Sequence, residues 1–343
     1  MKMEQDKVKI VSGVMANVTT GAPVAIQIEN DDHRNWVGKE HAPLNIPRPG
    51  HADLTAAIKY GYRDLRLSLE RASARETAAR VAVGALCRHL LGQFGIEIGG
   101  YVRSIGDVTA QTEGVGLSER SRIAETNEVR SPDLDAAQMM IERIQKVIRD
   151  KDTLGGIIDV FALGLPPGLG SHVHWDRRLD SRLGAAVLGV QAIKGVEFGT
   201  AFENTKLPGT EIQDAIRLEG DQIVRPTNRA GGLEGGITNG NPLVIRAAMK
   251  PIATTLTPQP TVDLLKGEEV STQYERSDFC PVPRAVPILE AVVAIELADA
   301  LMEKLGGDTL EEMSSRFNTL RQARLSDLVM DGSPHQYWPD VEE

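Results

Sequence analysis

The chain has 343 residues, 41% hydrophobic and 25% charged, the proportions of an ordinary globular protein, which exclude wholesale disorder, a collagen-like fibre and a membrane bundle. Its net charge of −10 argues against broad binding to nucleic acid or an anionic membrane, so an anionic ligand would need a local gathering of arginines. Cys87 and Cys280 are the two cysteines, too few for a disulfide framework or a cysteine-based zinc site. Residues 1–11 lack an apolar signal core. The longest apolar stretch, 288–305, is broken by Glu290, Glu296, Asp299 and Glu303, and a cytoplasmic location is expected.

In chain order, residues 8–14 and 23–29 alternate apolar and polar side chains as a half-buried strand pair would. A charged, proline-containing loop follows at 30–49, then a short helix at 52–60; 64–70 is ambiguous. The clearest helix is expected over 73–93, opened by the capping box Ser73-Ala-Arg-Glu76. Its apolar face would be Ala78, Val81, Ala82, Ala85, Leu86 and Leu90. A second helix is expected at 132–149, capped by Ser131 with proline at its first position. Residues 156–163 read as a strand, 179–190 as a helix, and 195–202 as a strand or irregular segment. A glycine-dense loop at 231–240 leads into a strand at 243–249. The last strong helix is expected from Pro287 to residue 305, ended by Gly306 and Gly307, with a short helix at 310–323. The acidic stretch after about residue 325 reads as a loose tail.

Four groups of residues could carry chemistry. Arg71-Ala-Ser73-Ala-Arg75 places two arginines around a helix start, where free N–H groups attract anions; the plainer reading is a surface arginine pair bound to Glu70 and Glu76. Arg48-Pro-Gly-His51-Ala-Asp53 sets a histidine in a turn between an arginine and a carboxylate that would tune it, unless it is an ordinary surface turn. Arg276-Ser-Asp278 offers a cation–carboxylate pair, which is usually a plain salt bridge. His172-Val-His174-Trp-Asp176 invites a metal reading, but no third ligand is evident and structural hydrogen bonding is the better expectation; no metal site is expected. The 231–240 loop permits close approach of a ligand but matches neither a dinucleotide fingerprint nor a P-loop.

Taken in order, the motifs at 48–53, 69–80, 191–199, 231–240 and 276–278 resemble chorismate synthase over most of the chain. The resemblance implies an α+β fold with central helices sandwiched between antiparallel β-sheets. It also implies a lyase of the shikimate pathway, serving aromatic amino-acid biosynthesis. The family eliminates phosphate in a 1,4-anti sense from 5-enolpyruvylshikimate 3-phosphate to give chorismate. It requires reduced FMN, with NADPH as flavin reductant in some members, and it assembles as a homotetramer. Carried over residue by residue, the FMN-binding positions are Arg71, Ala72, Ser73, Gln191, Ala192, Gly235, Lys250, Pro251, Ile252, Ala253, Thr254 and Arg276. The substrate would meet Arg48 and Arg75, and the catalytic positions are His51 and Asp278. The domain implied is 1–325, with 326–343 as tail. The family's Gly-Glu-Ser-His-Gly opening has no counterpart in residues 1–11. A chain lacking the family's N-terminal segment is therefore expected. The competing readings are a non-catalytic flavin- or polyanion-binding relic or assembly partner, and a metal hydrolase built on His172, His174 and Asp176.

Overall fold

The computed structural model describes residues 6–274 and 278–338. A five-stranded sheet, antiparallel throughout, forms its frame in the order Val108–Thr109, Glu97–Ile105, Gly156–Leu163, Leu243–Met249, Ile193–Phe198. The strands Gly156–Leu163 and Leu243–Met249 occupy the ranges read from sequence. Each is a largely apolar run bounded by turn residues; Gly156–Leu163 is buried through most of its length and Leu243–Met249 at alternate residues, which suits both to the sheet interior. The segment expected at 195–202 is a strand shifted to Ile193–Phe198.

The helix Val282–Leu305 lies on this sheet and is buried on nearly all sides, from Val282 to Leu305. A helix apolar all round belongs in a protein's centre. It begins one and a half turns before the expected start and carries Pro287 inside it. Val282, Ala285 and Val286 are each at most 1% exposed, and burying them offsets the backbone hydrogen bond that Pro287 cannot donate. The helices Thr77–Gly92 and Leu179–Leu188 flank it. Beside Thr77–Gly92 lies the N-terminal pair Val8–Ser12 and Ala25–Ile28, which form the expected strand pair, antiparallel, but with Val8–Ser12 exposed along its length instead of half-buried. Central helices between antiparallel sheets are thus the architecture.

Local endings depart from the sequence reading. The Ser73 hydroxyl accepts from the Arg75 amide at 3.3 Å, but residues Ala74–Glu76 form a 3-10 turn and the regular helix starts at Thr77. The reciprocal half of the box is not made, because Glu76 turns to Gln191 and Arg80 instead. Ala85 and Leu86 are exposed, and the face that packs is Ala82, Gly84 and Leu91. The second helix runs Leu134–Arg149 with Asp133 rather than Ser131 as its cap, its carboxylate accepting from the Asp135 and Ala136 amides. The ambiguous 64–70 stretch contains the helix Arg66–Arg71. The chain after helix Leu310–Asn318 returns to the hairpin Arg217–Glu219 and Gln222–Val224, where Ser326 donates to Asp221. Among the described residues no helix is long and apolar enough to cross a membrane.

Candidate active site

The turn 48–53 is built around the Asp53 carboxylate, whose side chain is 4% exposed. Asp53 Oδ2 accepts from the Arg48 backbone amide at 3.1 Å and from Arg48 Nε at 2.8 Å, and Oδ1 accepts from Arg48 Nη2 at 3.0 Å. The same Oδ1 lies 2.6 Å from His51 Nδ1. Burial by itself would raise the Asp53 carboxyl, but hydrogen bonds from His51 and Arg48 and the Arg48 charge hold it well below the usual carboxylate range. It is therefore ionised wherever the protein is folded at ordinary pH. Arg48 Nη2 also sits 2.9 Å from His51 Nδ1 and 3.2 Å from Nε2, so the guanidinium lies over the ring beside its two nitrogens.

The segment 250–254 closes over this turn from the end of strand Leu243–Met249. Arg48 Nη1 donates to Thr254 Oγ1 at 3.3 Å, and Lys250 Nζ donates to the Gly50 carbonyl at 3.0 Å. The Ile252 carbonyl accepts from Thr153 at 2.9 Å, fixing the segment from behind. The Lys250 amide donates at 2.9 Å to the carbonyl of Ala192, which sits at φ +66°. A left-handed alanine is costly and is held only where its surroundings dictate it. Next to it, Gln191 Nε2 donates to Glu76 Oε1 at 2.6 Å, while Gln191 Oε1 is buried without a partner. Sequence positions near 50, 76, 191 and 252 are thereby joined.

The remaining expected residues fall into three places. Arg75 ion-pairs with Asp6 and donates to the Glu29 carbonyl at 2.9 Å, both in the N-terminal segment. Arg71 ends its helix exposed. Asp278 is 43% exposed and paired with Arg284, while the following Phe279 carbonyl accepts from Leu154, the neighbour of Thr153. Arg276 lies outside the described residues. Gly235, at φ +59°, begins the two-residue turn between Leu233–Glu234 and Ile237–Thr238 and needs that backbone freedom. That hairpin sits at the Leu243 end of the sheet, where the Gly231 carbonyl accepts from Val244. Seven strand residues, on the order of 20 Å, separate it from Lys250. His172, His174 and Asp176 are exposed, and among the described residues no group of three or more such side chains is placed to hold a metal.

Sequence reasoning gave Asp53 only the tuning of His51, and it passed over two participants: Glu76 as the partner of Gln191, and Thr153 as anchor of the 250–254 segment. Asp53 had a signal, two positions from His51 and five from Arg48. Glu76 also had one, but its spacing from Ser73 pointed to helix capping instead. Nothing local marks Thr153.

The sequence pattern of the family "Chorismate synthase" matches residues 1–302. The chorismate synthase of Syntrophotalea carbinolica is 49% identical over 323 residues, covering 91% of this chain and 83% of that protein. That of Symbiobacterium thermophilum is 51% identical over 333 residues, covering 92% and 85%. A chorismate synthase crystal structure matches with a TM-score of 0.75 at 42% identity, over 91% of this chain and 82% of that one. This coverage overturns the expectation of a truncated remnant recognised by its surviving motifs. The chain belongs to the chorismate synthase family.

Proposed function

We propose that the chain converts 5-enolpyruvylshikimate 3-phosphate to chorismate by 1,4-anti elimination of phosphate, as a lyase. Family membership motivates the reaction. The observation that carries its location is the joining of Arg48, His51, Lys250 and Thr254 in one cluster. Elimination expels phosphate with its bonding electrons, so cationic side chains facing the leaving group lower the barrier. Arg48 brings such a charge to the turn, and its Nη1 carries a second N–H besides the one given to Thr254. His51 is placed to hold or move a proton beside that guanidinium. Asp278 is proposed to assist removal of the substrate's C6 proton.

Reduced FMN is proposed as cofactor, supplying electron density to the substrate and recovering it, with no net redox change. The residues present fit such a group. Gln191 Oε1 is a buried acceptor without a partner, suited to an N–H of a bound ligand. Arg71, Ala72, Ser73, Gln191, Ala192 and Lys250 through Thr254 would hold it, with Arg276, and Arg75 would contribute to substrate binding. Gly235 stands apart from this cluster. A homotetramer, a cytoplasmic location and NADPH as flavin reductant complete the proposal.

The test is anaerobic turnover of 5-enolpyruvylshikimate 3-phosphate with reduced FMN, following chorismate and phosphate together. Equal amounts of both are expected, and neither product would overturn the reading. His51→Ala is expected to lower the rate by roughly 10²–10⁴-fold, the usual loss for a proton-transfer group. Asp278→Asn is expected to lose roughly a hundredfold while the fold persists. Near-normal turnover in folded Asp278→Asn would leave that residue as a surface partner of Arg284.

A further inference from the structure

We infer that Asp53 is a positioning residue, fixing His51 with its proton on Nδ1 and Nε2 bare while locking the Arg48 fork in the same plane of contacts. The inference rests on the reading above that His51 takes part in the reaction. It adds which nitrogen does so, and what holds it there.

His51 Nδ1 has two neighbours, Asp53 Oδ1 at 2.6 Å and Arg48 Nη2 at 2.9 Å. A guanidinium can only donate and a carboxylate can only accept. Nδ1 cannot satisfy both, and the shorter contact is to the carboxylate, where a charged acceptor makes the stronger bond. The proton therefore sits on Nδ1 and points at Asp53. Arg48 Nη2, 3.2 Å from Nε2 but nearer still to Nδ1, lies off the in-plane lone pair of Nε2, so Nε2 is left bare and is the nitrogen free to exchange a proton with a ligand. A histidine's second ring nitrogen sets the tautomer of the first in this way.

A purely local explanation for Asp53 does not account for these contacts. Asp53 opens the helix Asp53–Tyr60, where an acidic side chain could serve the free amides of the first turn. That helix has no side-chain cap. The carboxylate instead turns backward, spending both oxygens on Arg48 and His51. Thr254 takes the third side of the guanidinium, so the fork cannot rotate without breaking its bonds to Asp53 in the same turn and to the distant 250–254 segment. One buried carboxylate thus orients both the cation and the proton carrier.

The first measurement needs no substitution in the hub. The wild-type chain is labelled with 15N-histidine, and the resonances of its seven histidines are recorded at about pH 9, where imidazoles are neutral. His51 is assigned by loss of its signals in His51→Gln. The expected spectrum shows His51 protonated on Nδ1; protonation on Nε2 would overturn the inference. Asp53→Asn is then expected to populate the other tautomer and to lower kcat by roughly tenfold to a hundredfold, with Asp53→Glu recovering part of both. A folded Asp53→Asn protein with lowered thermal midpoint but unchanged tautomer and kcat would show a structural role alone, and would also overturn it. The two readings fail separately. If His51→Ala retains turnover while the wild-type tautomer is as expected, the catalytic role of His51 fails and the assignment of its proton stands.

Discussion

Glu290 lies within the central helix at 4% exposure, an unusual place for a carboxylate. Arg88 reaches it from the helix Thr77–Gly92, Nη1 to Oε2 at 2.8 Å, and uses its other terminal nitrogen on the Ile98 carbonyl at 2.9 Å. Burial pushes the Glu290 carboxyl up to about 6, with the charges of Arg88 and Arg130 only partly opposing it. The folded state therefore binds this proton more tightly than the unfolded chain does, whose value is near 4.5. The stability associated with that proton is fully present below about 4.5 and is lost as pH rises through about 6. Glu290→Gln removes the titration. Its stability relative to the wild type should rise across that window, by roughly 2 kcal/mol for a shift of this size. Urea midpoints for both proteins between about pH 4 and 7 decide it, and a pH-independent difference would show that Arg88 keeps Glu290 ionised throughout.

At the scale of elements, the helices Thr77–Gly92 and Val282–Leu305 approach closely at Gly84. A Cβ on Gly84 would lie 2.4 Å from Ala291 Cβ and 2.5 Å from its Cα. Alanine has the higher helix propensity by about 1 kcal/mol. Two backbones in contact cannot yield as a side-chain tip would, so overpacking should prevail. Gly84→Ala is expected to destabilise by about 1–3 kcal/mol, and Gly84→Val by more. Equilibrium unfolding in urea checks the order, and a stabilised Gly84→Ala would show that the helices slide apart at little cost. This contact illustrates what sequence could and could not show. The periodicity of residues 73–93 identified a helix, yet placed Leu86 inward and gave Gly84 no role, because the packing partner lies two hundred residues away. The strands Gly156–Leu163 and Leu243–Met249 were legible because a buried apolar run needs no partner to be recognised. Helix starts were not, since Ser73, Glu76, Ser131 and Asp133 are all competent caps and tertiary bonds decide among them. In the site, His51 and Arg48 were legible from their turn. The contacts of Arg48 with Thr254 and of Lys250 with Gly50 depend on how the sheet returns the chain.

For the molecule as a whole, one polar row crosses the sheet where its other face is apolar and packed on the helices. Tyr101 lies opposite Asp159, Asp159 opposite Arg246, and Arg246 opposite Glu197, so four strands from distant parts of the chain each contribute one member. Arg246 Nε donates to Asp159 Oδ1 at 2.8 Å and Nη1 to Glu197 Oε2 at 3.1 Å, while the Tyr101 hydroxyl donates to Asp159 Oδ2 at 3.1 Å. Burial, with the Asp159 charge beside it, pushes the Tyr101 phenol up to about 12, so it remains a donor. Asp159 and Glu197 are 3% and 6% exposed. Removing Arg246 alone would leave Asp159 and Glu197, on the strands either side of it, buried without their shared cation, with Arg103 at 3.7 Å from Asp159. Arg246→Met is therefore expected to cost about 3–5 kcal/mol. Replacing the whole set, as Asp159→Asn, Glu197→Gln and Arg246→Met together, removes the uncompensated charges and should cost less than the single change. Because the row and the apolar core share the same strands, the loss should shift one unfolding transition without creating a second. Guanidinium-induced unfolding of the two variants, followed by both tryptophan fluorescence and far-ultraviolet dichroism, is the measurement. A triple variant weaker than Arg246→Met would show that the ion pairs stabilise the sheet outright, beyond satisfying one another's charge.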